Sequence, residues 1–258
     1  MTEPTPKQVD RDKVLTERNW WDFWNTSYRS DDGCDEISTE LFANVTAVIR
    51  EVTQGQNKRI LEIACGTGTL SRQLEFSSYH GLDVSPAAVG LATEKSKLRS
   101  WPMDGQPTYE VADVHDWSLP QPRFDVVVCV DAVAYFYDQT LALRRMGQTL
   151  VPSGRLVLTT INPFVYNRIR RTQRTPLKEG SISRWLARGE LHKLVSSAGF
   201  NLERSFTIMP RGNMGILRLV NARRLNEAVG SRGAEVLRRW KEQVELGQYR
   251  VIVAHKEK

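Results

Sequence analysis

The residues that build metal centres and disulfide frameworks are scarce in this 258-residue sequence, which has three cysteines and four histidines. Cys65 lies in a glycine-rich turn and Cys129 in an apolar run, so neither is placed for a disulfide; Cys34 sits in a polar loop. That usage fits a reducing cytoplasm. His80, His115, His192 and His255 are scattered without metal-ligand spacing, so no metal is expected. No run is long and apolar enough to span a membrane, and the opening MTEPTPKQVDRDK lacks the apolar core of a signal peptide. A cytoplasmic location is the expectation. Internal repeats and low-complexity segments are also missing. Charge is not extreme: 36 Lys and Arg against 30 Asp and Glu give +6, with a sequence pI of about 9.3. This balance permits an anionic partner without requiring one. What remains is an ordinary globular composition, 40% hydrophobic and 26% charged, long enough for one large domain with an ample core.

The informative stretch is 58–83, KRILEIACGTGTLSRQLEFSSYHGLD. Arg59 to Ala64 reads as a strand with an acid, Glu62, near its end. Cys65-Gly66-Thr67-Gly68-Thr69 reads as a turn, Leu70 and Leu74 fall at helical spacing, and a second strand ends on Asp83. Strand, glycine turn, helix, strand and acid form the opening unit of a nucleotide-binding α/β sheet. Gly66 and Gly68 allow positive φ and close approach of a ligand to the backbone. A helix N-terminus behind them offers free N–H donors. Two ligands suit such a turn, a pyrophosphate or the amino-acid end of S-adenosylmethionine (SAM). The pyrophosphate fingerprint needs a third glycine or alanine where this chain has Ser71. An acid at Glu62 would repel a pyrophosphate but suits an ammonium, and Asp83 is placed to accept from two ribose hydroxyls.

Glu62, Gly66, Gly68 and Asp83 in this order resemble the class I SAM-dependent methyltransferases, in particular the small-molecule branch that includes ubiquinone-biosynthesis O-methyltransferases. The resemblance covers roughly 59–162. Ala64 stands where the family's first motif has its first glycine. The resemblance implies SAM as cofactor, bound by Glu62, Ala64, Cys65, Gly66, Thr67, Gly68, Asp83 and Val84. It implies that Asp113 bonds the adenine amino group, that Val114 offers the ring a backbone N–H, and that Asp131 and Tyr28 lie near the methionine end.

The remaining elements follow the same scheme. Ser85-Pro86 opens a helix with an N-cap and a proline at its first position. Thr108 to Ala112 is the third strand. Phe124 to Val130, FDVVVCV, is a continuous β-branched run fit for the middle of a parallel sheet, ending on Asp131. A helix over Gln139 to Leu150 leads through Pro152-Ser153-Gly154 to a fifth strand, Arg155 to Ile161. Glu190 to Ala198 is a helix closed by Gly199; Asn201 to Ile208 and Tyr249 to His255 complete the strands. The expected fold is a single α/β domain, Rossmann-like, with a seven-stranded mostly parallel sheet, an antiparallel last strand and helices on both faces. Residues 1–55 form an N-terminal helical cap and lid rich in tryptophan, 56–162 the SAM-binding core, and 163–186 and 210–247 insertions beside the substrate opening.

The expected function is methyl transfer to a small-molecule acceptor of secondary-metabolite, sugar or quinone type, oxygen favoured over nitrogen. The sequence leaves a homo-oligomer open and gives no reason for a specific nucleic-acid partner. Candidate bases are Asp131, Tyr135, His115 and His192, with Asp131 and Tyr135 ranked first as catalytic residues. Trp24, Tyr135, Tyr137, Asn162 and Arg168 are the candidate substrate contacts. Relatives of the resembling family commonly carry histidine at the position of Tyr135. Two alternatives stand beside this. One is an RNA or protein methyltransferase, suggested by Arg168, Arg170, Arg171, Arg174 and Lys178, although no Asn/Asp-Pro-Pro-Tyr-type motif is present. The other is a non-catalytic SAM-binding scaffold.

Overall fold

The computed structural model describes residues 36–101, 105–118, 123–136, 138–166, 185–210, 245–256 and five positions between 233 and 240. The tryptophan-rich segment, with Trp24 and Tyr28, lies outside them, as do Tyr137, Arg168 and the rest of the basic run, and most of the second insertion.

Seven strands form one sheet: β1 (Arg59–Ile63), β2 (Ser78–Asp83), β3 (Thr108–Val111), β4 (Phe124–Val130), β5 (Leu150–Ile161), β6 (Phe200–Ile208) and β7 (Tyr249–Lys256). Their order is β3-β2-β1-β4-β5-β7-β6, with β7 antiparallel to both neighbours and the other pairings parallel. The order reverses between β1 and β4, and such a switch point opens a crevice at the carboxyl ends of the two strands.

Alternation along the strands divides the core between two faces. Leu61, Ile63, Val127, Cys129, Leu156, Leu158 and Ile252 point to one, under α3 (Gln139–Thr149) and α4 (Arg188–Ser197), which contribute Leu143, Met146, Leu191 and Val195. Ile60, Val126, Val128, Val157 and Val251 point to the other, under α1 (Glu36–Val52), which contributes Leu41, Val45, Val48 and Ile49. Each such side chain, fully buried, stabilises the fold by roughly 1.5–3 kcal/mol. Helix α2 (Pro86–Ser96) begins as its sequence dictates, with Ser85 Oγ accepting from Ala88 N at 3.1 Å and Pro86 next. Pro152-Ser153-Gly154 is carried inside β5, where the register with β4 shifts and Ser153 takes φ 65°. Among the described residues, no helix is long and apolar enough to cross a membrane.

One element departs from expectation. The glycine turn feeds only a single 3-10 turn, Ser71–Gln73, instead of a helix. Just seven residues separate Gly68 from Phe76, where the chain is already buried on its way to β2. The binding chemistry here therefore rests on the turn's own backbone and its neighbours, without a helix macrodipole. Helix α1 docks on that 3-10 turn: Thr46 Oγ1 donates to Gln73 Oε1 at 3.1 Å, and Arg50 donates to the Gln73 carbonyl at 3.0 Å.

Candidate active site

Strands β1 and β4 end side by side, Ile63 opposite Cys129, and each is followed directly by a left-handed non-glycine residue. Ala64 has φ 58° and Asp131 φ 51°. An L-residue there costs roughly 1–2 kcal/mol, with aspartate tolerating it better than alanine. Ala64 thus occupies a site whose backbone asks for glycine. The two kinks sit at the switch point of the strand order, where sheets of this kind open a crevice.

The β1 turn is internally braced. Gly68 N donates to the Cys65 carbonyl at 3.0 Å, and Arg72 donates to the Thr67 carbonyl at 2.7 Å. Gly66 N donates to Asp83 Oδ2 at 2.8 Å, while Ser85 N donates to Asp83 Oδ1 at 2.9 Å. Burial raises Asp83 above the usual carboxylate range, against the backbone N–H groups of Ser85, Gly66 and Val84. A carboxylate has about four acceptor positions, so Asp83, half-buried at its strand end, keeps acceptor capacity for a ribose while holding the turn to β2. On this donor and acceptor set the turn fits a SAM ribose. Thr67, Ala64 and Val84 are half-buried along its rim, and Cys65 is buried beneath it.

Gly68 is a glycine for a reason the sequence did not show. A Cβ there would stand 2.6 Å from Tyr109 Oη and 3.1 Å from Ala92 Cβ. The missing side chain makes room for the protein's own tyrosine, not only for a ligand. Gly81, opposite Tyr109 in the β2–β3 register, is similar: its Cβ would lie 2.8 Å from Tyr109 Cδ1 and 2.9 Å from the Cys65 side chain. An isolated glycine inside a strand, as in YHGLD, marks such a close approach.

Glu62 has a partner within the protein. Its side chain is buried on the face covered by α1 and accepts from the Tyr79 hydroxyl. Burial raises its pKa to about 8, with Tyr79 pulling the other way. Burial thus favours the neutral acid, which would attract an ammonium less than a carboxylate would.

Asp113 follows β3 and is tied to His115: Oδ1 accepts from His115 N at 2.9 Å and lies 2.5 Å from His115 Nδ1. Its carbonyl also accepts from Asp116 N and Trp117 N, so it closes the 114–116 turn whatever else it binds. Burial pushes Asp113 up, but the His115 bonds and Arg145 outweigh it and hold the carboxyl below its ordinary value. Arg145 Nε donates to the Val114 carbonyl at 2.7 Å, tying down the peptide that follows the Val114 N–H. His115 is buried, with its other nitrogen 3.2 Å from the Asp138 carbonyl, which removes it from the candidate bases. Half-buried His192, another candidate base, is lowered by burial and by nearby Arg188 and Arg250.

Asp131 presents the opposite picture. Its backbone N–H is held by the Thr159 carbonyl at 3.1 Å and Thr159 Oγ1 at 3.0 Å, yet its carboxylate Oδ1 is sealed from solvent with no hydrogen-bond partner. Burial raises its pKa to about 7, opposed only by the Ile161 backbone. Tyr135, on the 3-10 turn Val133–Tyr135, is driven far above the ordinary phenol value by burial, Asp131 and Tyr166. A phenol shifted in that direction holds its proton more firmly. Asn162 is withdrawn from the acceptor altogether. It is 1% exposed, its Nδ2 donates to the Glu245 and Gly247 carbonyls at 2.9 Å each, and its Oδ1 accepts from Phe164 N at 3.2 Å. That side chain clasps the end of β5 to the segment entering β7.

The family model described as "Methyltransferase domain" matches residues 36–205. The mitochondrial ubiquinone biosynthesis O-methyltransferase of Schizosaccharomyces pombe is 29% identical over 164 residues, 63% of this chain and 57% of that protein. The ubiquinone biosynthesis O-methyltransferase of Xanthomonas euvesicatoria pv. vesicatoria is 32% identical over 107 residues, 40% and 43% respectively. The chain spans about half the length of these curated relatives. Among solved structures, the N-methyltransferase NodS from Bradyrhizobium japonicum, in complex with S-adenosylhomocysteine, superposes with a TM-score of 0.61 at 14% identity, covering 93% of this chain and 98% of that one. That likeness is one of fold.

Proposed function

The chain belongs to the methyltransferase-domain family, class I SAM-dependent methyltransferases in fold, and on that premise we propose that it methylates a hydroxyl of a small-molecule acceptor. The observation that carries this reading is Asp131: a carboxylate oxygen without a partner, with a pKa of about 7, one strand away from the braced turn. The bound cofactor supplies a methyl group already activated by its sulfonium. The protein's share is then mostly placement, which can supply the larger part of the acceleration. Asp83 takes the ribose hydroxyls, Asp113 and the Val114 N–H take the adenine, and the turn from Ala64 to Gly68 cradles the amino-acid end. Asp131 Oδ1 accepts the proton of the acceptor hydroxyl, a task suited to a group whose pKa lies near the working pH. Tyr135, held protonated, donates a hydrogen bond at the same place. The ubiquinone biosynthesis relatives are named as O-methyltransferases, which supports oxygen as the target.

The test has two stages. S-adenosylhomocysteine should raise the thermal midpoint, as a ligand of the native state must, and NAD should not. Phenols, quinols and sugars incubated with SAM are then screened by mass spectrometry for a methylated product. Stabilisation by NAD with silence toward S-adenosylhomocysteine would overturn the reading.

A further inference from the structure

Tyr109 enters the floor of the turn from β3, thirty-eight positions away from Ser71, and ends at 2.6 Å from Ser71 Oγ. Ser71 Oγ lies 2.8 Å from the Gly68 carbonyl, and Ser71 is fully buried. Only one assignment of protons satisfies these contacts. A carbonyl can only accept, so the single Ser71 proton goes to Gly68 O, and the Tyr109 hydroxyl must donate to Ser71 Oγ. The result is a directed chain, Tyr109 O–H to Ser71 O–H to Gly68 C=O, in which each bond polarises the next.

Sterics point the same way. Gly68 and Gly81 both lack a Cβ where the tyrosine passes, and at Gly81 the Cys65 side chain crowds the same space. Burial raises the Tyr109 pKa to about 12, so the hydroxyl keeps its proton across the physiological range. Ser71 stands where a G-x-G-x-x-G turn would place its third glycine. Here that position carries a hydroxyl whose use is to fix the peptide of the second.

We propose that Tyr109, acting through Ser71, is a positioning residue for the cofactor: its hydroxyl sets the orientation of the Gly68 peptide and so the shape of the 65–69 turn that receives the amino-acid end of SAM. This rests on the reading of that turn as the cofactor site. Tyr109 itself touches no reacting atom. Its effect is on cofactor affinity, and the two hydroxyls act as one unit.

Calorimetric titration of S-adenosylhomocysteine into wild type, Y109F, S71A and the double variant tests the proposal. Wild type is measured first; failure to bind there would sink the cofactor reading itself and not the relay. Y109F keeps the ring and removes only the donor, so Kd should weaken roughly tenfold, with a much smaller change in the thermal midpoint of the ligand-free protein. S71A should weaken Kd to a similar degree, and the double variant should be no worse than S71A alone, the non-additivity of groups in one network. If Y109F folds poorly, S71A against wild type still reads the relay from its other end. Wild-type Kd in Y109F or in S71A, or fully additive losses in the double variant, would overturn it, since a merely structural tyrosine would lower the midpoint and leave affinity intact.

Discussion

The turn after β1 and the end of β4 are neighbours in the sheet, yet they treat their polar groups in opposite ways. In the turn, Asp83 accepts from two backbone amides, Arg72 and Ser71 hold the Thr67 and Gly68 carbonyls, and even the buried acid behind it, Glu62, has Tyr79. At the end of β4, Asp131 keeps a buried oxygen with nothing bonded to it, in a strained backbone conformation. A buried polar atom without a partner costs roughly 1–3 kcal/mol, and such costs persist where function requires them. The satisfied region is built to hold a shape, and the unsatisfied one is built to be completed by a ligand. On the proposed function, cofactor affinity belongs to the first and proton handling to the second.

The largest effect expected from breaking this division is on turnover. D131N keeps the shape of the side chain but cannot take a proton. With the acceptor found by the screen, it should lower the rate by about 10²- to 10⁴-fold, the usual weight of a positioned acid or base. In wild type the rate should rise with pH through about 7, as Asp131 loses its proton, and D131N should abolish that limb. A pH profile unchanged in the variant would assign the limb elsewhere.

The next effect is on stability. The folded state raises the Glu62 pKa from 4.5 to about 8, so it holds a proton that the unfolded chain gives up. Glu62 contributes stability that is fully present below about 4.5 and is lost progressively as pH rises to about 8. E62Q mimics the protonated form and still accepts from Tyr79. Its thermal midpoint should decline less than that of wild type between those limits. Parallel curves would mean that Glu62 is ionised in the fold.

The smallest effect concerns Ala64. Glycine at φ 58° relieves the left-handed strain of alanine and gives back part of the gain in chain entropy. A64G should stabilise the protein by about 1 kcal/mol, a rise of roughly 2–4 °C in midpoint for a chain of this size. A lower midpoint would show that the turn does not strain Ala64.

Much of this was legible in the sequence because it depends on local order. FDVVVCV can only be a buried strand, and it is β4 from end to end. Ser85-Pro86 starts its helix where capping chemistry says, and the acids Asp83, Asp113 and Asp131 stand at strand ends because the pattern of alternating elements puts them there. What stayed hidden depends on partners distant in the chain. Asn162 looked like an acceptor contact because it ends β5, but its partners are 83 and 85 positions away. Tyr109 looked like one more strand residue, and only the register with Gly81 reveals the wedge. The helix expected after Gly68 failed because Leu70 and Leu74 are buried in a tight return to β2, where helical spacing and simple burial leave the same trace.

The division between the two strand ends is tested most directly by one paired calorimetric measurement, S-adenosylhomocysteine binding to D83N and D131N. Asparagine at 83 keeps a partial acceptor for the Gly66 and Ser85 amides while removing the charge that meets the ribose. D83N should lose roughly ten- to a hundredfold in affinity, whereas D131N should bind as wild type does. The reverse result, with D131N weakened and D83N unchanged, would contradict the account, because it would place the cofactor's anchor at the end of β4 and leave the braced turn without its ligand.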